Sequence, residues 1–207
     1  MIGAVLPVVA ISQTVSIRDG NVFFKVKDGH TIQITTTGLD SDPSLSLDRK
    51  LVVFVRRTPS SNIHTGAGSL DTNELWVTDT TTGANAHRVL AGHSVDAKSG
   101  EPLAGFSSPR FSPDARRVYF LAQIAATSQH VFMLDLQSQQ VRFLCRGTHI
   151  EVVKVGTYAG DLIVLKDIPR VMPGHVLRYW LLDPNGREIG EIGEKESDLL
   201  AFITGRF

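Results

Sequence analysis

The amino-acid sequence predicts an all-β protein, a small β-propeller of three to four four-stranded antiparallel blades. Three observations carry this prediction. One stretch of the chain recurs in register, the central strands of each copy are apolar on both faces, and no segment sustains a helical period. Internal repetition is typical of stacked architectures. Strands that are apolar on both faces belong to sheets that are covered on both sides, as propeller blades are.

The repeat is clearest in two segments. Residues 108–120 align with residues 42–54, and Pro, Ser, Asp, a basic residue, Val and Phe recur at matching positions. An apolar strand that ends in Asp follows each copy, from Leu75 to Asp79 and from Val131 to Asp135. A last short strand comes after it. Each unit therefore predicts four short strands.

In chain order, the repeats predict blade boundaries near residues 40, 105 and 149. The first blade has three readable strands, at about Val15–Arg18, Asn21–Val26 and Thr31–Thr35, and it lacks an inner strand. A weaker fourth copy has strands at 161–165, 176–183 and 188–192. The segment from Ser197 to Gly205 has two interpretations. It could be a strand that closes the ring by completing the first blade, or a short helix that Ser197 caps and Gly205 ends.

The first 14 residues are set apart from the single domain predicted for residues 15–207. Met1 to Ala10 is apolar and uncharged, with Val8 and Ala10 as small residues before a cleavage point. It is interpreted either as the remnant of a signal peptide or as a flexible first segment or edge strand. The signal-peptide interpretation predicts a periplasmic or secreted protein. No apolar run in the sequence is long enough to span a membrane.

Charge and cysteine content narrow the function classes. Lys+Arg and Asp+Glu both number 21, so the formal net charge is zero. A nucleic-acid or anionic-membrane partner usually needs a basic patch, so neither is expected. Cys145 is the only cysteine, which excludes an intrachain disulfide and a multi-cysteine zinc site. Strand alternation places Cys145 on the same face as Phe143, which predicts a plain buried thiol.

The segment from Pro109 to Phe120 resembles the TolB-like (WD40-like) family of β-propeller repeats. That family's pattern is a Pro-x-aromatic-Ser-Pro-Asp-Gly turn, followed by a basic residue, a β-branched residue and Phe. Phe111-Ser112-Pro113-Asp114, with Val118 and Phe120 behind it, fits this pattern. The resemblance covers roughly residues 15–193. It implies the propeller fold, but no particular function, because folds of this kind host many functions.

The turn inside each repeat is predicted to be structural. We expect Asp48 and Asp114 to bond the local backbone, and Pro113 to preset the turn's φ. A role for the two aspartates as metal or substrate ligands is the minor alternative. Arg49 and Ala115 stand where the family prefers Gly. If that position needs a positive φ, each substitution costs roughly 1 kcal/mol.

No catalytic signature is found in the sequence. It contains no HExxH, Walker loop, GxGxxG or GxSxG pattern. None of the seven histidines pair at metal-ligand spacing on one element. We therefore predict no catalytic residues, no metal site and no cofactor.

Three long connections indicate a functional face. They run from Phe54 to Glu74, from about Ala91 to Gly105 and from Asp167 to Gly174. In a four-stranded antiparallel blade, second-to-third and fourth-to-first connections emerge on the same side, which we call the long-loop face. Function tends to reside in such loops. The candidate ligand- or partner-binding residues are Arg56, Arg57, His64, His93, Asp96, Lys98, Glu101 and Arg170.

Arg56 and Arg57 should not be equivalent. Both follow the strand Leu51 to Val55, which has a buried pattern, and successive strand residues point to opposite faces. We expect at least one of the two to be held firmly at the strand's end, as a fork-shaped anchor.

The sequence favours a non-enzymatic binding or scaffold protein of the bacterial envelope, which recognises a protein or a small polar ligand through the long-loop face. Two alternatives stay open. One is a propeller-type hydrolase or lyase, which a pair of titratable groups with matched pKa values on the rim would support. The other is an incomplete propeller that functions only as an oligomer, of itself or with another chain.

Overall fold

The structure is a computed structural model of the chain, and it describes residues 13–65, 68–92, 103–124, 128–169 and 175–205. Within these ranges the elements are β1 (Thr14–Arg18), β2 (Asn21–Lys25), β3 (Thr31–Gln33), β4 (Asp40–Leu45), β5 (Leu51–Thr65), β6 (Gly68–Asp79), β7 (His87–Leu90), β8 (Ala104–Phe111), β9 (Arg117–Ile124), β10 (Ser128–Asp135), β11 (Val141–Arg146), β12 (His149–Val152), β13 (Leu162–Pro169), β14 (His175–Leu182), β15 (Glu188–Gly193) and α1 (Glu196–Ile203). No helix in the described part of the chain is long and apolar enough to cross a membrane.

The strands form four antiparallel sheets in which every neighbour in space is also a neighbour in sequence. Blade one is β1-β2-β3, blade two is β4 to β7, blade three is β8 to β11, and blade four is β12 to β15. The last three begin at Asp40, Ala104 and His149, so the predicted boundaries near residues 40, 105 and 149 are confirmed. The predicted all-β, small-propeller fold is confirmed with them.

The core lies between the blades. Val52 and Phe54 of β5 face blade one, whereas Val53 and Val55 face blade three. Blades three and four bury a further cluster between them that includes Tyr119. The central strands are apolar on both faces because each sheet is covered on both sides.

The repeat extends to backbone conformation. Asp42 and Ser108 occupy equivalent positions before Pro43 and Pro109, and both have a positive φ, 48° and 50°. Each lies in a bulge that shifts the register of an inner strand. The Ser108 backbone N–H donates to the Asp42 carboxylate at 3.2 Å. The repeat therefore also links neighbouring inner strands to each other.

The sequence predicts a long loop between Phe54 and Glu74, and this prediction is wrong. β5 and β6 continue as a two-stranded hairpin, with Thr65 opposite Gly68. Chain that leaves a sheet must still satisfy its backbone hydrogen-bonding groups, and pairing with the returning strand does so. This hairpin projects on the long-loop face.

The closing strand proposed for residues 197–205 is also wrong, because this segment is helix α1. Its N-cap is Lys195 rather than Ser197. The Asp198 carboxylate accepts the backbone N–H groups of Glu194 and Lys195 at 3.1 and 3.0 Å, which satisfies donors that a helix start leaves free. The helix ends at Ile203, and its C-cap Thr204 is followed by Gly205, whose φ is 66°.

Helix α1 covers the outward face of blade four. Leu199 and Phe202 pack against buried Ile163, Leu181 and Ile192. In a closed ring this face would receive blade one, so the described residues form an open arc. Blade one in turn presents polar side chains outwards, among them Thr14 and Ser16.

Candidate functional site

The base of the β5–β6 hairpin is held by a buried ion pair. Arg56 donates from Nε and Nη2 to the two carboxylate oxygens of Asp40, at 2.6 and 3.0 Å. The Asp40 side chain is fully buried, and that of Arg56 is 15% exposed. Asp40 lies opposite Arg56 in the β4–β5 ladder, so the sheet register brings the pair together. A bidentate geometry of this kind is the strongest that an Arg–carboxylate pair adopts.

Aromatic rings hold the same guanidinium from its faces. The Arg56 guanidinium carbon lies 4.4 Å from the ring centre of Trp76 and 5.2 Å from that of Phe54. Both aromatic residues share the strand face that packs towards blade one. Stacking of a cation on Trp is favourable, and more so when the cation is desolvated.

A second carboxylate completes this group. Glu74, two residues before Trp76 on β6, accepts the Trp76 indole N–H at 2.9 Å and Nη1 of Arg88 at 2.8 Å. Arg88 keeps about half of its side chain exposed, 53%. Asp40, Arg56, Glu74, Trp76 and Arg88 are called the Arg56 cluster. Its two cations and two carboxylates balance, so it holds the hairpin base without adding net charge.

Arg57 is placed differently. Its side chain is exposed, and its backbone N–H donates to the carbonyl of Leu39 at 2.9 Å. The predicted difference between Arg56 and Arg57 is confirmed: one is anchored and the other faces solvent. Arg56 is anchored within the chain, because its guanidinium already donates two hydrogen bonds to the Asp40 carboxylate.

A side-chain clamp fixes the other side of the hairpin base to blade three. The Asn73 amide donates to the carbonyl of Phe106 and accepts the Phe106 backbone N–H, both at 2.8 Å. Gly92 approaches the same point so closely that a Cβ there would lie 2.9 Å from the Asn73 carbonyl oxygen. The hairpin and both ends of the β7–β8 connection therefore meet at Asn73.

The remaining predicted binding residues fall into two groups. His64 lies in β5 opposite Ser69. His93, Asp96, Lys98, Glu101 and Arg170 lie outside the described residues. The structure thus brings Arg56 and Arg57 to the hairpin base.

Sequence reasoning missed Asp40, Glu74, Trp76, Arg88 and Asn73. A signal existed for one pair: Glu74 and Trp76 are two apart on a strand and so share a face. Asp40 gave no such signal, because its pairing with Arg56 depends on the bulge between Ser41 and Ser44.

The inner strands surround a second candidate region, a cavity of about 470 Å³. Arg110 donates from Nε and Nη2 to the Glu151 carboxylate at 3.3 and 3.0 Å. Arg49 donates from Nη1 to the carbonyl of Gln13 at 2.6 Å. With Lys154, the lining carries three cations and one carboxylate.

The opposite side of the molecule carries the short turns of the repeat. Asp48 accepts the Ser46 hydroxyl and the Lys50 N–H, and Asp114 accepts the equivalent groups of Ser112 and Arg116. These hydrogen bonds, first of all those from the two serines, hold the pKa of both aspartates below the ordinary value. Pro113, exposed in the second of these turns, also lines the inner cavity.

A larger cavity of about 700 Å³ opens on this short-turn side, lined by residues that include Arg117, Asp135 and Arg142. No group of three His, Cys, Asp or Glu residues arranged to hold a metal ion occurs within the described ranges.

Cys145 lies on β11 and packs against the core between blades three and four. Burial raises the pKa of its thiol to about 11. A thiol with that pKa is almost fully protonated at neutral pH and is a poor nucleophile.

No protein family matches the chain, and no curated protein matches it. Solved β-propeller structures do. The chain is 14% identical to dipeptidyl peptidase 4 of Porphyromonas gingivalis, with a TM-score of 0.54, over 88% of this chain and 31% of that one. It is 14% identical to the β-propeller domain of the trilobed protease from Pyrococcus furiosus, with a TM-score of 0.53, over 84% of this chain and 49% of that one.

TolB from Acinetobacter baumannii also matches, at 14% identity over 85% of this chain and 49% of that one, with a TM-score of 0.38. The chain spans less than half the length of these three structures. At such identity the likeness shows the fold alone, and the class of protein is a β-propeller. Membership of the TolB-like repeat family stays a prediction.

Proposed function

We propose that this chain is a non-enzymatic binding or scaffold protein of the bacterial envelope, periplasmic or secreted, which recognises a protein or a polar ligand through its long-loop face. The observation that carries the proposal is that the base of the β5–β6 hairpin is fixed on both sides. The Arg56 cluster holds it on the blade-one side, and the Asn73 clamp holds it on the blade-three side.

A fixed base matters because binding costs free energy whenever a flexible surface must be ordered. The cluster and the clamp have already ordered the strands from which the hairpin projects. Exposed Arg57 and half-exposed Arg88 present cationic forks beside this base. Arg is enriched among the residues that dominate protein interfaces, and a surface of mixed charge suits a folded partner better than a polyanion.

The proposal is tested with a photo-reactive benzophenone amino acid at position 57 of the full chain, exported to a bacterial envelope. We expect a cross-linked product of defined mass, and we expect its yield to fall at least fivefold when Arg88→Ala is added. Arg116, which is exposed on the short-turn side, is the matched control position and should give no such product. Equal products from positions 57 and 116 would contradict the assignment to the long-loop face.

The non-enzymatic part of the proposal has its own test. The purified chain is incubated with panels of peptidase, esterase, glycosidase and polysaccharide-lyase substrates, and no turnover above background is expected. Turnover that follows the protein through purification would show an enzyme instead. Light scattering on the same sample measures the molar mass and so tests the remaining alternative. A chain that functions only as an oligomer is expected to be larger than a monomer.

A further inference from the structure

We propose that the cavity of about 700 Å³ on the short-turn side binds a small ligand with a carboxylate or phosphate group, held by the guanidinium groups of Arg117 and Arg142. The side chains that form this site lie where blades three and four meet, on the side of the molecule opposite the long-loop face. The site therefore does not depend on the function proposed for that face.

The repeat departs from its own pattern at this place. Positions 117 and 119 of β9 align with positions 51 and 53 of β5, where the chain has Leu51 and Val53. These two apolar side chains pack in the core between blades two and three. At the next interface, between blades three and four, the chain has Arg117 and Tyr119 instead. A charged side chain thus replaces an apolar one where two blades meet, and the propeller fold by itself does not require this change.

Strand alternation brings both arginines to the face of blade three that meets blade four. Tyr119 and Met133 belong to the core cluster between these two blades. Arg117 precedes Tyr119 by two residues on β9 and therefore shares its face. Arg142 lies opposite Met133 in the ladder of β10 and β11, so it shares the same face. Arg117, Met133 and Arg142 all line the cavity.

The turn between β14 and β15 of blade four forms the opposite wall. The hydroxyl of Tyr119, whose side chain is fully buried, donates to the Pro184 carbonyl at 3.3 Å. Nη2 of Arg142 donates to the backbone carbonyl and to the side-chain oxygen of Asn185, both at 3.2 Å. Burial raises the pKa of Tyr119, and the neighbouring Arg117 guanidinium opposes this shift. Both arginines therefore border the place where Tyr119 meets this turn.

Neither guanidinium is neutralised by a direct ion pair. In the described part of the chain, Arg117 and Arg142 form no ion pair with a carboxylate. Oδ1 of Asp135, which lies opposite Arg117 in the ladder of β9 and β10, instead accepts three hydrogen bonds from its own turn. The nearby Asp183 pairs with Arg187 at 3.3 Å. Both arginines can therefore offer N–H groups to an oxyanion, whose geometry the planar guanidinium matches.

The size and the lining of the cavity indicate the rest of the ligand. A volume of about 700 Å³ is typical of sites for small molecules. Beside the arginines, the lining carries a hydroxyl and three amides, which are groups that pair with hydroxyls; they belong to Ser138, Gln139, Gln140 and Asn185. The ligand is therefore a small molecule with several hydroxyl groups and one oxyanion, a chemistry that sugar acids and sugar phosphates share.

The probes are glucuronate and glucose 6-phosphate, with glucose as the uncharged control, each titrated into the ¹⁵N-labelled full chain. We expect the Nε–Hε resonances of Arg117 and Arg142 to shift saturably with at least one of the two anions, and the tighter anion shows which oxyanion the site prefers. Glucose should bind at least tenfold more weakly, because it lacks the charge-assisted hydrogen bonds. The proposal is overturned if neither anion gives a saturable shift, or if glucose binds equally well.

Matched variants separate this site from general attraction between charges. Arg117→Leu introduces the residue type that blade two has at position 51, and it should weaken anion binding at least tenfold because one guanidinium is lost. Arg142→Gln, which keeps a donor for Asn185, should weaken binding to a similar extent. Arg116→Leu removes the same charge from an exposed neighbour that does not line the cavity, and it should bind within twofold of the unaltered chain. Equal losses in the Arg116 and Arg117 variants would overturn the proposal, because the anion would then respond to net charge alone.

Discussion

Two non-glycine residues in the repeat turns have a backbone conformation that favours glycine. Arg49 and Ala115 have φ values of 64° and 56°, at the positions where the resembled repeat family has Gly. From the sequence, a cost was expected at these two positions only if their φ is positive, and in the structure it is positive. A left-handed conformation costs an ordinary residue about 1–2 kcal/mol. The Arg49 side chain gains a hydrogen bond to Gln13 in return, whereas Ala115 gains only some packing against the core.

Ala115→Gly is therefore expected to stabilise the protein by about 0.5 kcal/mol, because relief of the left-handed conformation exceeds the entropy that Gly adds to the unfolded chain. This corresponds to a melting temperature about 1–2 °C higher in a domain of this size. Thermal unfolding followed by circular dichroism measures it. Ala84→Gly, at an exposed alanine without a positive φ, is the control and should lower stability by about 0.4–1 kcal/mol. The same sign for both variants would contradict the strain at Ala115.

Residue-level prediction succeeded where it depended on strand alternation. The rule that neighbours on a strand point to opposite faces separated Arg56 from Arg57 correctly. It could not supply Asp40 as the partner, because the pairing of β4 with β5 contains a bulge that no local pattern around Asp40 marks. It placed Arg56 in a binding surface, and the structure shows its fork filled within the chain.

At the scale of the element, the C-terminal segment shows the limit of local patterns. Leu199, Leu200, Phe202 and Ile203 fit a short strand as readily as one helical face, and short apolar runs are ambiguous for this reason. The helix is favoured by Asp198, which caps its start, and by the apolar face of blade four, which Leu199 and Phe202 cover. The second of these contacts depends on the folded sheet and is invisible in the sequence.

Phe202→Ala should lower the free energy of unfolding by about 1–2 kcal/mol, less than the 3–5 kcal/mol of a fully buried Phe because this ring is only half-buried. The variant also loses the stacking of Phe202 on Tyr158, whose ring centres are 5.6 Å apart. Urea titration measures the change. Leu200→Ala, on the exposed side of the same helix, should change stability by no more than about 0.5 kcal/mol. Equal losses would show that α1 does not pack on blade four through Phe202.

At the scale of the whole molecule, the repeat turns make stability depend on pH in a defined direction. The pKa of Asp79 is held well below its usual range, first by the Thr81 hydroxyl and then by the Thr82 backbone N–H. Asp135 and Asp114 have lowered pKa values for similar reasons. A carboxylate with a lower pKa in the folded than in the unfolded state stabilises the protein above the unfolded value, about 3.9, and loses this contribution as pH falls.

We therefore expect the melting temperature to be steady from pH 7 to about pH 5 and to fall progressively between about pH 5 and pH 2. Asp79→Asn should lower the melting temperature at pH 7 and shrink the fall in acid, because the substituted group no longer titrates. Calorimetry across this pH range measures both effects. Asp28→Asn is the matched control, since Asp28 is exposed and lies outside these turns. A fall in acid of equal size in the Asp79 and Asp28 variants would contradict the assignment.

Blade number and boundaries could be predicted from the sequence because the same pattern of strands and turns recurs in each blade. The open arc could not, because it depends on which face α1 covers. The long-loop face was predicted from connection lengths, yet one of its three connections is a hairpin whose strands pair only with each other beyond the blade. Patterns repeated along the chain are thus readable, and single contacts between distant parts are not.

The order of the sheets has a consequence for how the chain folds when it emerges from its N-terminal side, at the ribosome or from an export channel. Among the described residues each strand pairs only with its neighbour in sequence, so no described blade waits for a strand made much later. Folding of this local kind is fast, and it can proceed one blade at a time from the N-terminal side. Helix α1 emerges after the strands it covers. During that interval Ile163, Leu181 and Ile192 lack their cover, and the emerging chain is most prone to aggregate.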